Sequence, residues 1–225
     1  HEFRTPLTTL RQLSEMLVRG RVSSDHPRQQ FYETLLQESE RLHRLVESLL
    51  DFGRMEAGEV QYRFECVEAY GFMRNRVTDF QKEVSGIGYT VQLHETGTLP
   101  VFRADRESLA RVFWNLLDNA VKYSPQQPRI EVRVARDGAT ATLTVRDHGL
   151  GFDPALTSRL FERFQRGTAE RDRSRPGLGL GLYLTKEVHR LHGGTVAAQS
   201  AGPNTGSTFT LTLPRCHTQT PHVPG

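Results

Sequence analysis

The sequence predicts a two-part chain: an α-helical hairpin that pairs with a second copy as a dimeric four-helix bundle, then an α+β two-layer sandwich. Three observations carry this. Leucines recur at helical spacing from the start to about Gly58. After "MEAGEV" the pattern changes to short strands mixed with amphipathic helices, without strict βαβ alternation. The length of 225 residues leaves room for one or two domains.

The first helix carries Leu7, Leu10, Leu13 and Leu17, and "VRGRVSSDHP" breaks it with Gly, Ser and Pro. In the second, Phe31, Leu35, Glu38, Leu42, Leu45, Leu49 and Phe52 step by four and three as a heptad-like seam, with Glu38 as its polar member. Leu36, Val46 and Leu50 widen the stripe beyond what one partner helix covers. A homodimer through the hairpin is therefore expected.

Downstream, "QYRFECVE" and "YTVQLHE" read as strands. "DRESLARVFWNLLDNAVKYS" reads as a helix with Leu109, Val112, Phe113, Leu116, Leu117 and Ala120 on its apolar side. "RIEVRVARDGATATLTVRDHG" alternates around an Asp-Gly turn, as a β-hairpin does. "GLYLTKEVHRLHGG" is a helix ending at a glycine pair, and "GTVAAQSAGPNTGSTFTLTLP" another strand–turn–strand. The expected division is 1–60 for the hairpin, 61–214 for the sandwich and 215–225 for a loose, polar, Pro-rich tail. The chain opens on His1 in apparent mid-helix, so a longer parent holding the upstream half of that helix is expected.

A hydrophobic content of 36% and a charged content of 24% fit a packed core rather than disorder. The net charge of +3, with no basic run, argues against a nucleic-acid binder. No apolar run approaches the roughly 20 residues of a membrane helix, and no signal peptide stands at the start. A cytoplasmic fragment is expected, with any membrane attachment left to an unseen upstream region. Cys66 and Cys216 are far apart in no metal-like spacing, which suggests a reducing compartment with neither a disulfide nor a zinc site.

Several clusters carry chemistry. "HEFRTPL" sets His1 beside Glu2, with Thr5 one helical turn on. It lacks the second imidazole of H-E-x-x-H, so zinc is not indicated. In "NLLDNAVKYS", Asn115 and Asn119 are four apart and share a helix face, with Lys122 and Tyr123 on the next turn. Amide oxygens suit a hard cation such as Mg²⁺, and the lysine suits phosphate. In "DHGLGF", Asp147 ends a strand and Gly149 and Gly151 follow. Such a carboxylate can accept from an exocyclic amine such as that of adenine. "FERFQRGTAERDRSRPG" is a basic loop with Arg163, Arg166, Arg171, Arg173 and Arg175, able to fold over phosphates. "GLGLGL" sets Gly177, Gly179 and Gly181 among leucines ahead of a helix, where backbone N–H groups favour anions. It is no Walker P-loop.

Taken in order, these motifs resemble those of bacterial sensor histidine kinases of two-component systems, over nearly the whole chain from His1 to about Pro214. "HEFRTPL" resembles the H-box of the dimerisation and phosphotransfer domain. The later four resemble the N, G1, F and G2 boxes of the Bergerat (GHKL) ATP-binding fold. The resemblance implies that His1 accepts the γ-phosphoryl of ATP, that Glu2 takes up or orients its proton, and that Thr5 positions water in a phosphatase reaction. It implies Asn119 as Mg²⁺ ligand with Asn115 assisting, Lys122 and Tyr123 lining the nucleotide, and Asp147 reading adenine over Gly149 and Gly151. Phe161 and Phe164 match the F-box, with Arg166 reaching the γ-phosphate. Gly177, Leu178, Gly179, Leu180, Gly181 and Leu182 match the second glycine box. The implied partner is the receiver domain of a response regulator.

Two departures stand out. His148 takes the place where the family more often has Asn, and Leu178 that of a common Thr. His189 and His192, three apart, lack a completing ligand set and read as helix-end residues, and His43 as a solvated position. Rival readings are an ATPase of the same fold that phosphorylates no histidine, and a degenerate dimeric scaffold. The upstream "HEFRTPL" hairpin speaks against the first. The presence of Asn119, Asp147 and the three glycines speaks against the second.

Overall fold

The computed structural model describes residues 2–20, 25–96, 101–138, 140–165 and 177–216. These fall into two compact units: residues 2–60 together with 177–180, and residues 61–165 together with 181–216. His1, Arg166, Arg171, Arg173, Arg175 and the tail beyond Cys216 lie outside the described residues.

The first unit is a helical pair, α1 (Arg4–Val18) and α2 (Asp25–Glu56). Gly58, at φ 68°, stops α2 in the left-handed conformation that glycine adopts without a steric penalty. Only Pro6 and Leu45 are buried among the described residues of the two helices. Leu36 is 61% exposed, and Leu7, Val46, Leu49 and Leu50 also face outward. Part of the wide apolar stripe is thus left uncovered among the described residues. Glu38, the polar member of the seam, accepts from Arg41 at 3.4 Å.

The second unit is an α+β sandwich. A small antiparallel sheet pairs β1 (Phe64–Glu68) with β3 (Val101–Asp105). The main sheet holds β2 (Thr90–Thr96), β4 (Arg129–Asp137), β5 (Thr140–Asp147), β6 (Thr195–Gln199) and β7 (Thr208–Pro214), in the order β2-β4-β5-β7-β6. β2 runs parallel to β4, and the other neighbours are antiparallel. The helices are α3 (Ala69–Val84), α4 (Arg106–Tyr123) and α5 (Gly181–Leu191).

Strand alternation sends Ala141, Leu143, Val145 and Asp147 of β5 inward, with Phe209, Leu211 and Leu213 of β7. The six predicted apolar residues of α4 join them in the core, with Phe72, Met73 and Phe80 of α3. The predicted β4–β5 hairpin forms, with Ile130 opposite Asp147 and Arg133 opposite Thr144. The glycine pair also ends α5 as expected, Gly194 donating to the His189 carbonyl at 2.9 Å.

Two elements go beyond the sequence expectation. α3 buries Ala69, Phe72, Met73, Val77, Phe80 and Val84, a helical spacing that was present in the chain. β3 is five residues long, too short to show alternation by itself. Capping fixes both following helices: the Glu68 carboxylate accepts from Tyr70 and Gly71 N–H, and Asp105 accepts from Ser108 N–H.

The cysteines correct an expectation. Cys66 and Cys216 form a disulfide, with Cα atoms 5.7 Å apart. The chain after β7 runs beside β3, where Phe102 bridges Arg215 and Cys216 N–H donates to the Val101 carbonyl at 2.8 Å. Cys66 lies on the other neighbour of β3. Sheet pairing closes a separation of 150 residues that linear spacing does not reveal. Arg215 and Cys216, expected in the loose tail, are thereby held.

The terminal histidines of α5 also differ in environment. His189 is fully buried, with both ring nitrogens lacking a hydrogen-bond partner. Burial pushes its pKa down to about 3. His192 is buried too: Nδ1 donates to the Val188 carbonyl at 2.7 Å and Nε2 accepts from Asp105 N–H at 2.9 Å, so its ring is neutral. His43 is exposed, as expected. No group of three or more His, Cys, Asp or Glu fit to hold a metal occurs among the described residues. No helix among them is long and apolar enough to cross a membrane.

Candidate active site

In the second unit the site grows from the end of α4 and the turn after β5. Asn115 and Asn119 are half-buried on α4, between the core residues Leu116, Leu117 and Ala120. The Asn115 amide donates to the Gly181 carbonyl at 3.4 Å, which Thr185 also binds at 2.9 Å. This joins the asparagine helix to the start of α5, where Leu182 packs on the core. A Cβ on Gly181 would sit 3.4 Å from the Asn115 amide oxygen, so the two elements approach closely. Lys122 and Tyr123 follow, the Lys122 ammonium lying 5.3 Å from the Tyr123 ring centre.

The end of α4 is held from below. Tyr89 Oη donates to the carbonyls of Val121 at 2.9 Å and Ser124 at 3.0 Å. Leu150 N–H donates to the Tyr123 carbonyl at 2.9 Å, which fastens the turn after β5 to α4. Gly149 lies directly against that carbonyl, where a Cβ would collide with it. Gly151, at φ 57°, packs against the Gly202 carbonyl and Ser200 Oγ. Glycine is required at both positions, for close approach and for backbone conformation respectively.

Asp147 is 3% exposed. Its Oδ1 accepts from Gly149 N–H at 2.8 Å and Ser207 N–H at 3.2 Å. The Ser207 hydroxyl also lies within hydrogen-bond reach of this carboxylate, whose lone pairs still leave room to accept from a ligand donor. Burial raises its pKa, and the N–H donors of Gly149 and Ser207, with the Ser207 hydroxyl, oppose that rise. His148 turns to the opposite side of the strand, where Nε2 meets Glu131 Oε1 at 3.1 Å. That hydrogen bond holds the Glu131 carboxyl below its usual range.

Of the two F-box phenylalanines, Phe161 is buried and Phe164 is 57% exposed, at φ 58°. The neighbouring Arg163 guanidinium lies 4.9 Å from the Tyr183 ring centre. The expected phosphate role of Arg166 falls outside the described residues.

The first unit holds the other predicted site residues. Glu2 is half-buried; its Oε2 accepts from Gly177 N–H at 3.2 Å and lies 3.9 Å from Arg41 Nη2. Thr5 is exposed, and its carbonyl accepts from the Thr9 hydroxyl at 3.2 Å. Gly177, Leu178, Gly179 and Leu180 belong to this unit, whereas Gly181 and Leu182 belong to the second, so the glycine string is divided between them. Leu180 is buried, and Gly177 and Gly179 have φ of 141° and 70°.

Comparison with known proteins settles the family. Residues 104–217 match the histidine kinase-, DNA gyrase B- and HSP90-like ATPase family, and residues 1–58 match the His Kinase A (phospho-acceptor) domain. The chain belongs to the bacterial sensor histidine kinases. It is 31% identical over 214 residues to the sensor histidine kinase MtrB of Mycolicibacterium paratuberculosis, covering 95% of this chain and 38% of that protein. It is 33% identical to the sensor-like histidine kinase SenX3 of Mycobacterium bovis, covering 95% of this chain and 52% of the relative. The crystal structure of full-length ShkA in complex with AMPPNP superposes with a TM-score of 0.70 at 25% identity, over 96% of this chain and 44% of that one. The kinase chain thus spans between about four-tenths and half the length of these relatives.

Some residues that shape this kinase site escaped the sequence. Ser207 N–H donates to the Asp147 carboxylate, Ser200 Oγ accepts from Phe152 N–H and Tyr89 Oη donates to the Ser124 carbonyl, bonds that join residues distant in sequence and hold the turn and the end of α4. A partial signal existed in "AGPNTGS": its turn residues foretell a tight loop, and Asn204 does take a φ of 63°.

Proposed function

We propose that this chain is the catalytic core of an ATP- and Mg²⁺-dependent protein-histidine kinase that works as a homodimer through the hairpin. His1 takes the γ-phosphoryl group of ATP and passes it to an aspartate on a response-regulator receiver domain. Residues 1–60 act as the dimerisation and phosphotransfer hairpin, and 61–214 as the ATP-binding domain. The observation that carries the reading is the buried Asp147, held at Oδ1 on a glycine turn fastened to the asparagine helix, in a chain that also opens with His1-Glu2.

Asp147 Oδ2 would accept from the adenine amine, a pairing that selects ATP over purines lacking it. Asn119, with Asn115, offers hard amide oxygens suited to Mg²⁺, and Lys122 offers positive charge to the phosphates. When bound, Mg²⁺ would offset charge on the transferring phosphoryl. Gly177–Leu182 and Arg166 would enclose the phosphates. One nitrogen of the neutral His1 ring attacks phosphorus, the bond to ADP breaks, and Glu2 takes up the proton from the other nitrogen. The phosphoimidazole bond is labile, so transfer to a carboxylate follows readily. Thr5, exposed one turn after His1, would position water for a phosphatase reaction. Among the relatives, ShkA was crystallised with AMPPNP, an ATP analogue, which supports the nucleotide.

The test is autophosphorylation with labelled ATP and Mg²⁺, on a version extended upstream. Label of acid-labile, base-stable character that disappears in His1→Gln is expected. Nucleotide binding without label, or label surviving the substitution, would replace this reading with an ATPase or a scaffold.

A further inference from the structure

We propose that His148 and Glu131 form a positioning pair that sets the Asp147 turn and thereby sharpens selection of the purine amine; the inference rests on the adenine reading of Asp147.

The geometry is specific. β5 ends at Asp147, whose side chain points into the core, and the alternation of the chain puts the next residue on the other face of the sheet. There His148 Nε2 lies 3.1 Å from Glu131 Oε1, across from the last residues of β5. Glu131, on β4, stands opposite Arg146 of β5, and Arg129 Nη2 lies 3.2 Å from the same Glu131 carboxylate oxygen. The charged or titratable groups around His148 are therefore Arg129 and Glu131 on β4, and Arg146 and Asp147 on β5.

An ionised carboxylate only accepts, so the proton of this bond is on His148 Nε2. The turn is thus pinned on two faces. Inside, Asp147 Oδ1 holds Gly149 and Ser207 N–H. Outside, the next residue is tied to β4. Between these anchors the orientation of the Asp147 carboxylate toward a ligand donor is set. His148 touches no nucleotide in this scheme and acts through Asp147.

The experiment uses the whole chain with Mg²⁺ and two probes, ATP and the triphosphate of purine riboside, which has hydrogen in place of the 6-amino group. The readout is the ratio of their dissociation constants by calorimetry. Wild type should prefer ATP. His148→Ala should reduce that preference by about threefold to tenfold, the worth of one intramolecular hydrogen bond. Glu131→Ala should do the same, and the double variant no more than either. His148→Gln, which keeps an N–H donor, should restore most of it. A general loosening would weaken both nucleotides in proportion and leave the ratio unchanged; that result overturns the pair. Fluorescence melting at Trp114 checks folding, and if His148→Ala melts early, Glu131→Ala decides the question by the same ratio. A wild type that binds both probes equally removes the adenine reading itself, and this inference with it. A wild type that discriminates, with variants that discriminate equally, removes only the pair.

Discussion

The two units of this kinase solve the burial problem in opposite ways. The second closes its own core: Phe113, Leu116, Leu117, Leu143 and Leu211 are all fully buried within one chain. The first does not. Its helices leave Leu36, Leu49 and Leu50 facing outward, with Leu45 the one leucine of α2 that is buried. Hydrophobic burial is the main favourable contribution to folding, so the sandwich carries its stability by itself, while the hairpin needs a second surface. On the dimeric reading proposed above, a single chain contains one autonomous unit and one whose stability depends on concentration. Trp114, the single tryptophan, packs edge-on to Phe80 at 4.9 Å and reports on the sandwich alone. Far-UV circular dichroism reports on the helices of both.

The largest effect should come from the sandwich core. Phe113→Ala removes a ring that is fully buried and should cost the second unit about 3–5 kcal/mol. The loss should appear in Trp114 fluorescence at every protein concentration. A concentration-dependent loss would mean that the sandwich is not autonomous. The disulfide comes next, since it closes a long loop within that same unit. Reduction should lower the Trp114 transition by about 2–4 kcal/mol, and Cys66→Ser should match it. Labelling of both thiols by maleimide in untreated, denatured protein would contradict the pairing.

Acid should then separate the units by about half as much. His189 is buried and neutral, with a pKa near 3 against 6.5 ordinarily. Below pH 6.5 the unfolded chain binds a proton there that the folded chain refuses. Stability is therefore fully present above pH 6.5 and lost as pH falls toward 3, by about 2 kcal/mol at pH 5. His192, also lowered by burial, adds in the same direction. His189→Leu removes the His189 share, so its advantage over wild type should grow on acidification from pH 7.5 to 5. An advantage that stays constant across this range would mean that His189 does not titrate differently on folding.

The same contrast explains what could be read from the sequence. Local periodicity exposed α1, α2, α4, α5 and the β4–β5 hairpin, because each buries one face at a fixed repeat. The second-unit residues of the site were legible where a motif is local: Asn115 with Asn119 on one face, Asp147 with Gly149 on one turn. Pairings made by topology were not legible. Cys66 meets Cys216 through the strands flanking β3, and His192 meets Asp105 across 87 residues. The burial of His189 was hidden for the same reason: a helix end looks polar in sequence, yet α5 ends against the core.

The smallest effect within one chain should come from the most exposed leucine of α2. Leu36 touches little in a single hairpin, so Leu36→Ala should change the dilute protein by no more than about 0.5 kcal/mol, as surface substitutions do. The Trp114 transition should not move at any concentration. At high concentration the comparison reverses, because a second copy would cover that stripe and the substitution would then remove buried apolar surface. Sedimentation should show weaker self-association for Leu36→Ala, and the helical transition by circular dichroism should lose part of its dependence on concentration. Equal self-association of variant and wild type would place the dimer seam on another face of the hairpin. Loss of the Trp114 transition together with the helical one would show that the two units unfold as one, and the contrast between them would fail.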